Sequence, residues 1–131
     1  CAAGYHVPTQ AEWYAAVSAL NPAVTNTATW QNDTALATTL KLPLAGYRNY
    51  LSAAYSLQRR GGYYWASSPT GIHGYSVSLS STQVFPAFSN NRASGLSVRC
   101  VADQVLVTFA PNGAGVNVGF PNKSVIPGSP V

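Results

Sequence analysis

Charge is what this chain has least of. Asp, Glu, Lys and Arg make up 8% of its 131 residues, against roughly 25% in an ordinary soluble chain. The carboxylates are only Glu12, Asp33 and Asp103. Three dispersed acids argue against a hydrolase built on paired carboxylates and against a carboxylate-rich calcium cage. The cations Lys41, Arg48, Arg59, Arg60, Arg92, Arg99 and Lys123 are scattered apart from one adjacent pair. No phosphate-tracking surface follows, and nucleic acid is not expected as a partner. Tyr63, Tyr64 and Trp65 beside Arg59 and Arg60 imitate a basic-aromatic patch but read better as a packed core strand. No apolar run approaches the roughly 20 residues of a membrane span. No basic-then-apolar leader opens the chain, so any export signal has been removed or lies outside these residues. There is no glycine-rich phosphate loop, no zinc-ligand spacing and no Gly-x-Ser-x-Gly elbow. His6 and His73 are the only histidines. His73 falls in "SPTGIHGY", a turn where a solvated side chain is expected, and His6 precedes Val7-Pro8, where packing or a backbone hydrogen bond is expected. No enzyme, cofactor or metal is therefore expected.

Ser, Thr, Asn, Gly, Ala and Tyr fill the space left by charge, giving a neutral, hydroxyl-rich surface that suits a secreted or cell-surface protein. The length fits one domain with a real core plus an appendage. Cys1 and Cys100 form an even pair in a low-charge, aromatic-rich chain, which reads as a disulfide. Two alternatives stay open at this point: a lipid-bearing Cys1, or two free thiols in a reducing compartment.

The order of elements is helices first, strands second. "VPTQAEWYAAVSAL" places Thr9 three residues before Glu12, a capping box, and then Trp13, Ala16, Val17 and Leu20 at helical spacing. A helix over about 9–20 follows, stopped by Asn21-Pro22. A shorter helix is expected to start at Asn32 or Asp33, to bury Leu36 and Leu40, and to end at Pro43. From Tyr63 on, "GGYYWASS", "YSVSLSS", "LSVRCVA" and "VLVTF" read as antiparallel strands separated by the turns "SPTG", "FPAFSNNRASG" and "APNGAG". The fold class expected is α+β, with two helices on one side of short antiparallel strands. "WQND", residues 30–33, looks like the Trp-Asn-Asp element of calcium-dependent lectins, but it precedes a helix and lacks a Glu-Pro-Asn partner, so Asn32 and Asp33 read as caps.

The motifs "CAAGYHVPTQAEW", "LKLPLAGYRNY", "GGYYWASS" and "NNRASGLSVRCVAD" occur in this order. Together they resemble the Fibrobacter succinogenes major paralogous domain, a family of bacterial surface or secreted domains with a C-type lectin-like fold. The resemblance spans residues 1–103 and leaves 104–131 as a strand-forming C-terminal tail. It implies a disulfide between Cys1 and Cys100 that closes a compact, loop-displaying module. It also implies that Arg48, within "AGYRNY", lies against rings and backbone carbonyls as a structural clamp.

The expected function is a non-enzymatic structural or adhesive module, with protein partners that include further copies in an oligomer or filament. The second expectation is a carbohydrate-binding module in which Tyr75, Phe85, Phe88, Asn90, Asn91 and Arg92 offer rings and amides to a glycan. Most of these lie on an expected display loop over Pro86 to Gly95, the alternative being that Arg92 simply braces its own loop. In the tail, Val105, Val107 and Phe109, then Val116, Val118 and Phe120, alternate as strands that must pair with something, within the chain or in a neighbouring copy.

Overall fold

The computed structural model describes residues 1–104, 106–109 and 116–119. In chain order the elements are β1 (Tyr5–His6), α1 (Gln10–Leu20), β2 (Gln31–Asn32), α2 (Leu36–Thr39), β3 (Tyr47–Arg48), β4 (Tyr55–Ser56), β5 (Gly62–Thr70), β6 (His73–Leu79), β7 (Gln83–Asn91), β8 (Val101–Ala102), β9 (Leu106–Phe109) and β10 (Val116–Gly119). The fold is mixed α+β, mostly antiparallel strands with two short helices. It divides into two compact units, Val7–Arg99 and Cys1–His6 with Cys100–Val131.

In the larger unit, α1 begins where its capping signal places it. Thr9 accepts from the Glu12 amide, and the Glu12 carboxylate accepts from the Thr9 amide at 2.8 Å. The helix buries Trp13 and Val17. The second helix departs from expectation, because it has four residues and starts at Leu36. Asp33 is the reason: its Oδ1 accepts from the amides of Ala35 and Leu36 at 3.0 and 2.7 Å, so the chain turns into the helix only after those donors. Asn32 is not a cap, since it pairs with Gln83 in the sheet. Nor does Pro43 end the helix. Lys41 takes a left-handed φ of 51°, the Lys41 amide donates to Thr38 O and the Leu42 amide to Ala37 O, which is a Schellman ending two residues before the proline.

A four-stranded sheet in the order β2-β7-β6-β5 forms the body of this unit. One face packs on the helices, where Tyr64, Ala66, Val77, Leu79 and Val84 meet Trp13, Val17, Val24, Leu36 and Leu42. Each fully buried Val or Leu here contributes about 1.5–3 kcal/mol. The strand β7 corrects the expected loop, because "FPAFSNN" is sheet and not a turn. Its ladder to β6 runs Ser78↔Phe85 and then Ser76↔Phe88, three steps on β7 against two on β6. Pro86 lies inside that bulge, where its missing N–H removes no ladder bond. The expected turn "SPTG" is also strand as far as Thr70, and His73 opens β6 opposite it. Conversely "LSVRCVA" is strand only at Val101–Ala102. Its Ser97 makes a single bridge to β5.

The smaller unit joins β1 to β8 antiparallel, Tyr5 opposite Ala102 and His6 opposite Val101. Cys1 and Cys100 are bridged in this unit. His6 Nδ1 lies 2.7 Å from Asp103 Oδ1, a pairing that the sequence did not suggest for either residue. The strands β9 and β10 pair with each other, Val107 opposite Val118 and Phe109 opposite Val116. Val105 and Phe120 lie outside the described residues.

Candidate functional site

Period-two alternation sends Tyr63 and Trp65 to the face of the sheet away from the helices, since Tyr64 and Ala66 lie in the core. Register does the rest. Tyr63 and Phe85 both flank Ser78, while Trp65 and Phe88 both flank Ser76. Small residues on the central strand thus sit between large ones on its neighbours, and both serines are fully buried. Trp30 packs edge-on to Phe85 at 5.7 Å, Phe85 edge-on to Phe88 at 5.1 Å, and Tyr47 tilts against Tyr63 at 4.8 Å. Burial, with the Tyr47 hydroxyl second, raises the Tyr63 pKa above the ordinary tyrosine value. Ser76 Oγ donates to Phe88 O at 3.3 Å and accepts from Asn90 Nδ2 at 2.7 Å.

This arrangement splits the expected ligand set. Phe85, Phe88 and Asn90 share the outer face. Tyr75 does not, because it packs against the helix-side core. Asn91 Oδ1 accepts from the Ala93 amide at 2.9 Å and shapes the turn after β7. Arg92 holds neither its own loop nor a carboxylate. Its Nε donates to His73 O at 3.1 Å and one Nη to Gly71 O at 3.0 Å, so it grips the β5–β6 hairpin.

At the end of this face an open cleft of about 360 Å³ is lined by Trp65, Ala66, Ser67, Ser68, Pro69, Gly74 and Arg92. Its origin is a second bulge. Between the pairs Trp65↔Ser76 and Pro69↔Gly74, β5 advances four residues while β6 advances two. The surplus bows away from the ladder and leaves the hollow. The outer edge of β5 is occupied from Tyr63 to Ser67: Trp65 N donates to Ser97 O, Ser97 N to Tyr63 O, and Ser67 N to Pro8 O. Trp65 and Ser67 were missed as site residues because an aromatic run in a strand reads as core. Only the alternation within "YYWAS" set against "YSVSLS" could have separated the two faces.

A second exposed feature is the segment joining β3 and β4. Asn49 Oδ1 accepts from the amides of Leu51 and Ser52, the Ala53 amide donates to Asn49 O, and Arg48 Nε donates to Ala53 O at 3.2 Å. Arg48 also exchanges both backbone bonds with Gly95. It clamps a carbonyl as expected, while no stacking of Arg48 on a ring is found among the described residues. The tightly held loop exposes Tyr50 and Leu51, and β4 with the residue after it exposes Tyr55 and Leu57, with Leu51 at 79% and Tyr55 at 72%.

The three carboxylates are engaged one by one: Glu12 in its cap, Asp33 buried on helix amides and the Asn21 side chain, and Asp103 on His6. Among the described residues no group of three or more His, Cys, Asp or Glu side chains gathers to hold a metal.

Comparison with known proteins adds one relationship. No curated protein and no solved structure matches the chain. Residues 21–101 match a family described as a domain of unknown function. This stretch contains the whole four-stranded sheet, the cleft and the β3–β4 loop, and amounts to well over half of the chain. The chain belongs to that family, DUF8237.

Proposed function

We propose that the chain is a non-enzymatic, extracellular adhesive module of a bacterial surface assembly, with the C-type lectin-like fold of the Fibrobacter major paralogous domains. The observation that carries this reading is the β3–β4 loop. Exposed large apolar side chains are costly to leave in water unless a partner covers them, and a rigid loop presents them at low entropic cost on binding. Tyr50 and Leu51 on the held loop meet both conditions, as does Tyr55 on β4 paired with Arg48, and Leu57 adds to the same exposed apolar set. The bridge between Cys1 and Cys100 supports an oxidising compartment. No helix among the described residues is long and apolar enough to cross a membrane. The engagement of every carboxylate in local structure supports binding over catalysis and makes adhesion independent of calcium.

The test is an array of bacterial envelope proteins, including the chain itself, probed with the full chain in EDTA. Saturable binding is expected, and Leu51→Ser with Tyr55→Ser is expected to weaken it more than about tenfold while the melting temperature holds, as hot-spot side chains do. Binding that is unchanged in this variant, or that needs calcium, would overturn the reading.

Assembly is assigned to the tail. The β9–β10 hairpin forms a separate two-stranded sheet. Such a hairpin is marginal alone, and among the described residues no third strand pairs with it, so its outer edges can accept one. The full chain is expected to self-associate with rising concentration in sedimentation, and the chain ending at Asp103 to stay monomeric. If both remain monomers, the assembly role falls and the adhesive one stands.

A further inference from the structure

We propose that the cleft beside Trp65 and Arg92 binds an acidic saccharide, a sugar ring carrying a carboxylate. The proposal rests on a different surface from the adhesive loop and stands or falls separately from it.

The arginine supplies the charge recognition. A guanidinium is planar, with one edge formed by Nε and the nearer Nη and another formed by its two Nη atoms. The first edge of Arg92 is anchored on the carbonyls of His73 and Gly71. Anchoring fixes the plane of the group and leaves parallel N–H bonds on the second edge, the geometry that matches a carboxylate in a bidentate pair. Among the described residues no carboxylate pairs with this cation, and Glu12, Asp33 and Asp103 are engaged elsewhere.

The tryptophan supplies the platform. A Cβ on Gly74 would come within 3.0 Å of the Trp65 ring, so the indole lies directly on the backbone of β6 with no side chain beneath it. The ring is only partly buried and lines the cleft. Its N–H donates no hydrogen bond among the described residues. The apolar C–H face of a pyranose fits such a surface, and the exposed Ser67 and the Ser68 hydroxyl, which accepts from the Gln10 amide, remain able to donate to sugar oxygens.

An acidic peptide fits less well. Extended peptides bind by adding a strand, and the edge of β5 beside the cleft has its Trp65 and Ser67 amides and its Tyr63 carbonyl already paired.

The experiment is a titration of the isotopically labelled full chain, in EDTA, with trigalacturonate, with the neutral maltotriose and with a blocked tri-aspartate peptide, observed by NMR. Trigalacturonate is expected to shift the Trp65 indole N–H and the Ser67 amide saturably, and maltotriose to shift them at least about tenfold more weakly, the loss of one charge-assisted pair. Arg92→Gln is expected to weaken trigalacturonate binding by about the same factor. Because that variant also frees the hairpin, Trp65→Phe provides a second reading: it keeps an aromatic ring on the outer face, removes the indole donor and part of the stacking surface over Gly74, and is expected to weaken binding by at least about threefold. Equal shifts with maltotriose would overturn the charge recognition. Absence of shifts up to roughly 20 mM trigalacturonate, beyond the useful range for a ligand of this size, would overturn the site. Tighter binding of the peptide would overturn the ligand class.

Discussion

Replacing Cys1 and Cys100 with serine together is expected to destabilise the chain by about 4 kcal/mol and to lower its melting temperature by about 15 °C. The bridge closes a loop with a sequence separation of 99. In the chain-entropy account, a loop of about a hundred residues removes between 4 and 5 kcal/mol of freedom from the unfolded ensemble. Among the described residues, the non-covalent links between Cys1–His6 and the residues after Cys100 are short. The β1–β8 ladder has two registered pairs, supplemented by the Asp103 amide on Gly4 O and by the His6–Asp103 contact, which is part-exposed. Such contacts contribute only about 1 kcal/mol each. Thermal and urea melts of the double variant, beside the native chain with and without reductant, measure the loss. A loss under about 1 kcal/mol would show that the short ladder suffices without the covalent bond.

Gly46→Ala is expected to be at least as damaging, at more than about 4 kcal/mol, by a different physical route. Gly46 has a left-handed φ of 76°, and a Cβ there would come to 2.2 Å from Ser56 O and 2.8 Å from the Gln58 amide nitrogen. These are backbone atoms, so no rotamer change relieves the contact. The Gly46 amide also donates to Gly61 O, which ties the displaced segment to the start of β5. Gly71 is the control. It has a φ of 54° with nothing within 4 Å of its Cβ position, so Gly71→Ala is expected to cost only the conformational term of about 1 kcal/mol. Urea melts of the two variants separate crowding from backbone preference. Similar losses would refute the close approach at Gly46.

Local chemistry was legible in the sequence where cause and consequence lie a few residues apart. Thr9 and Glu12 announced α1, and the α+β order followed from the change in periodicity near Tyr63. Signals that depend on distant pairing were misleading. Pro86 reads as a turn until its bulge is known, because the absence of an N–H is harmless only where the partner strand offers no acceptor. Lys41 ended α2 in a conformation that sequence associates with glycine. The alternation in "LSVRCVA" promised a strand, yet β5 offers residues 96–99 only one bridge, at Tyr64↔Ser97. The site was half legible for the same reason. Arg92, Phe85 and Asn90 were recognisable as polar and aromatic residues near one another in sequence. Trp65 joins them only through register, and Arg92 reaches its carbonyls across 19 and 21 residues.

The disulfide also has a mechanical consequence. A tension applied between Cys1 and the residues beyond Cys100 travels along the shortest covalent path. That path is the sulfur–sulfur bond, which bypasses every residue between the two cysteines. The sheet, the cleft and the β3–β4 loop all lie within the bypassed segment, so such a load reaches none of their hydrogen bonds in series. If the bond is reduced under tension, about 330 Å of chain becomes available for extension, at roughly 3.3 Å per residue. While the bond is intact, that length of chain is withheld from such a tension.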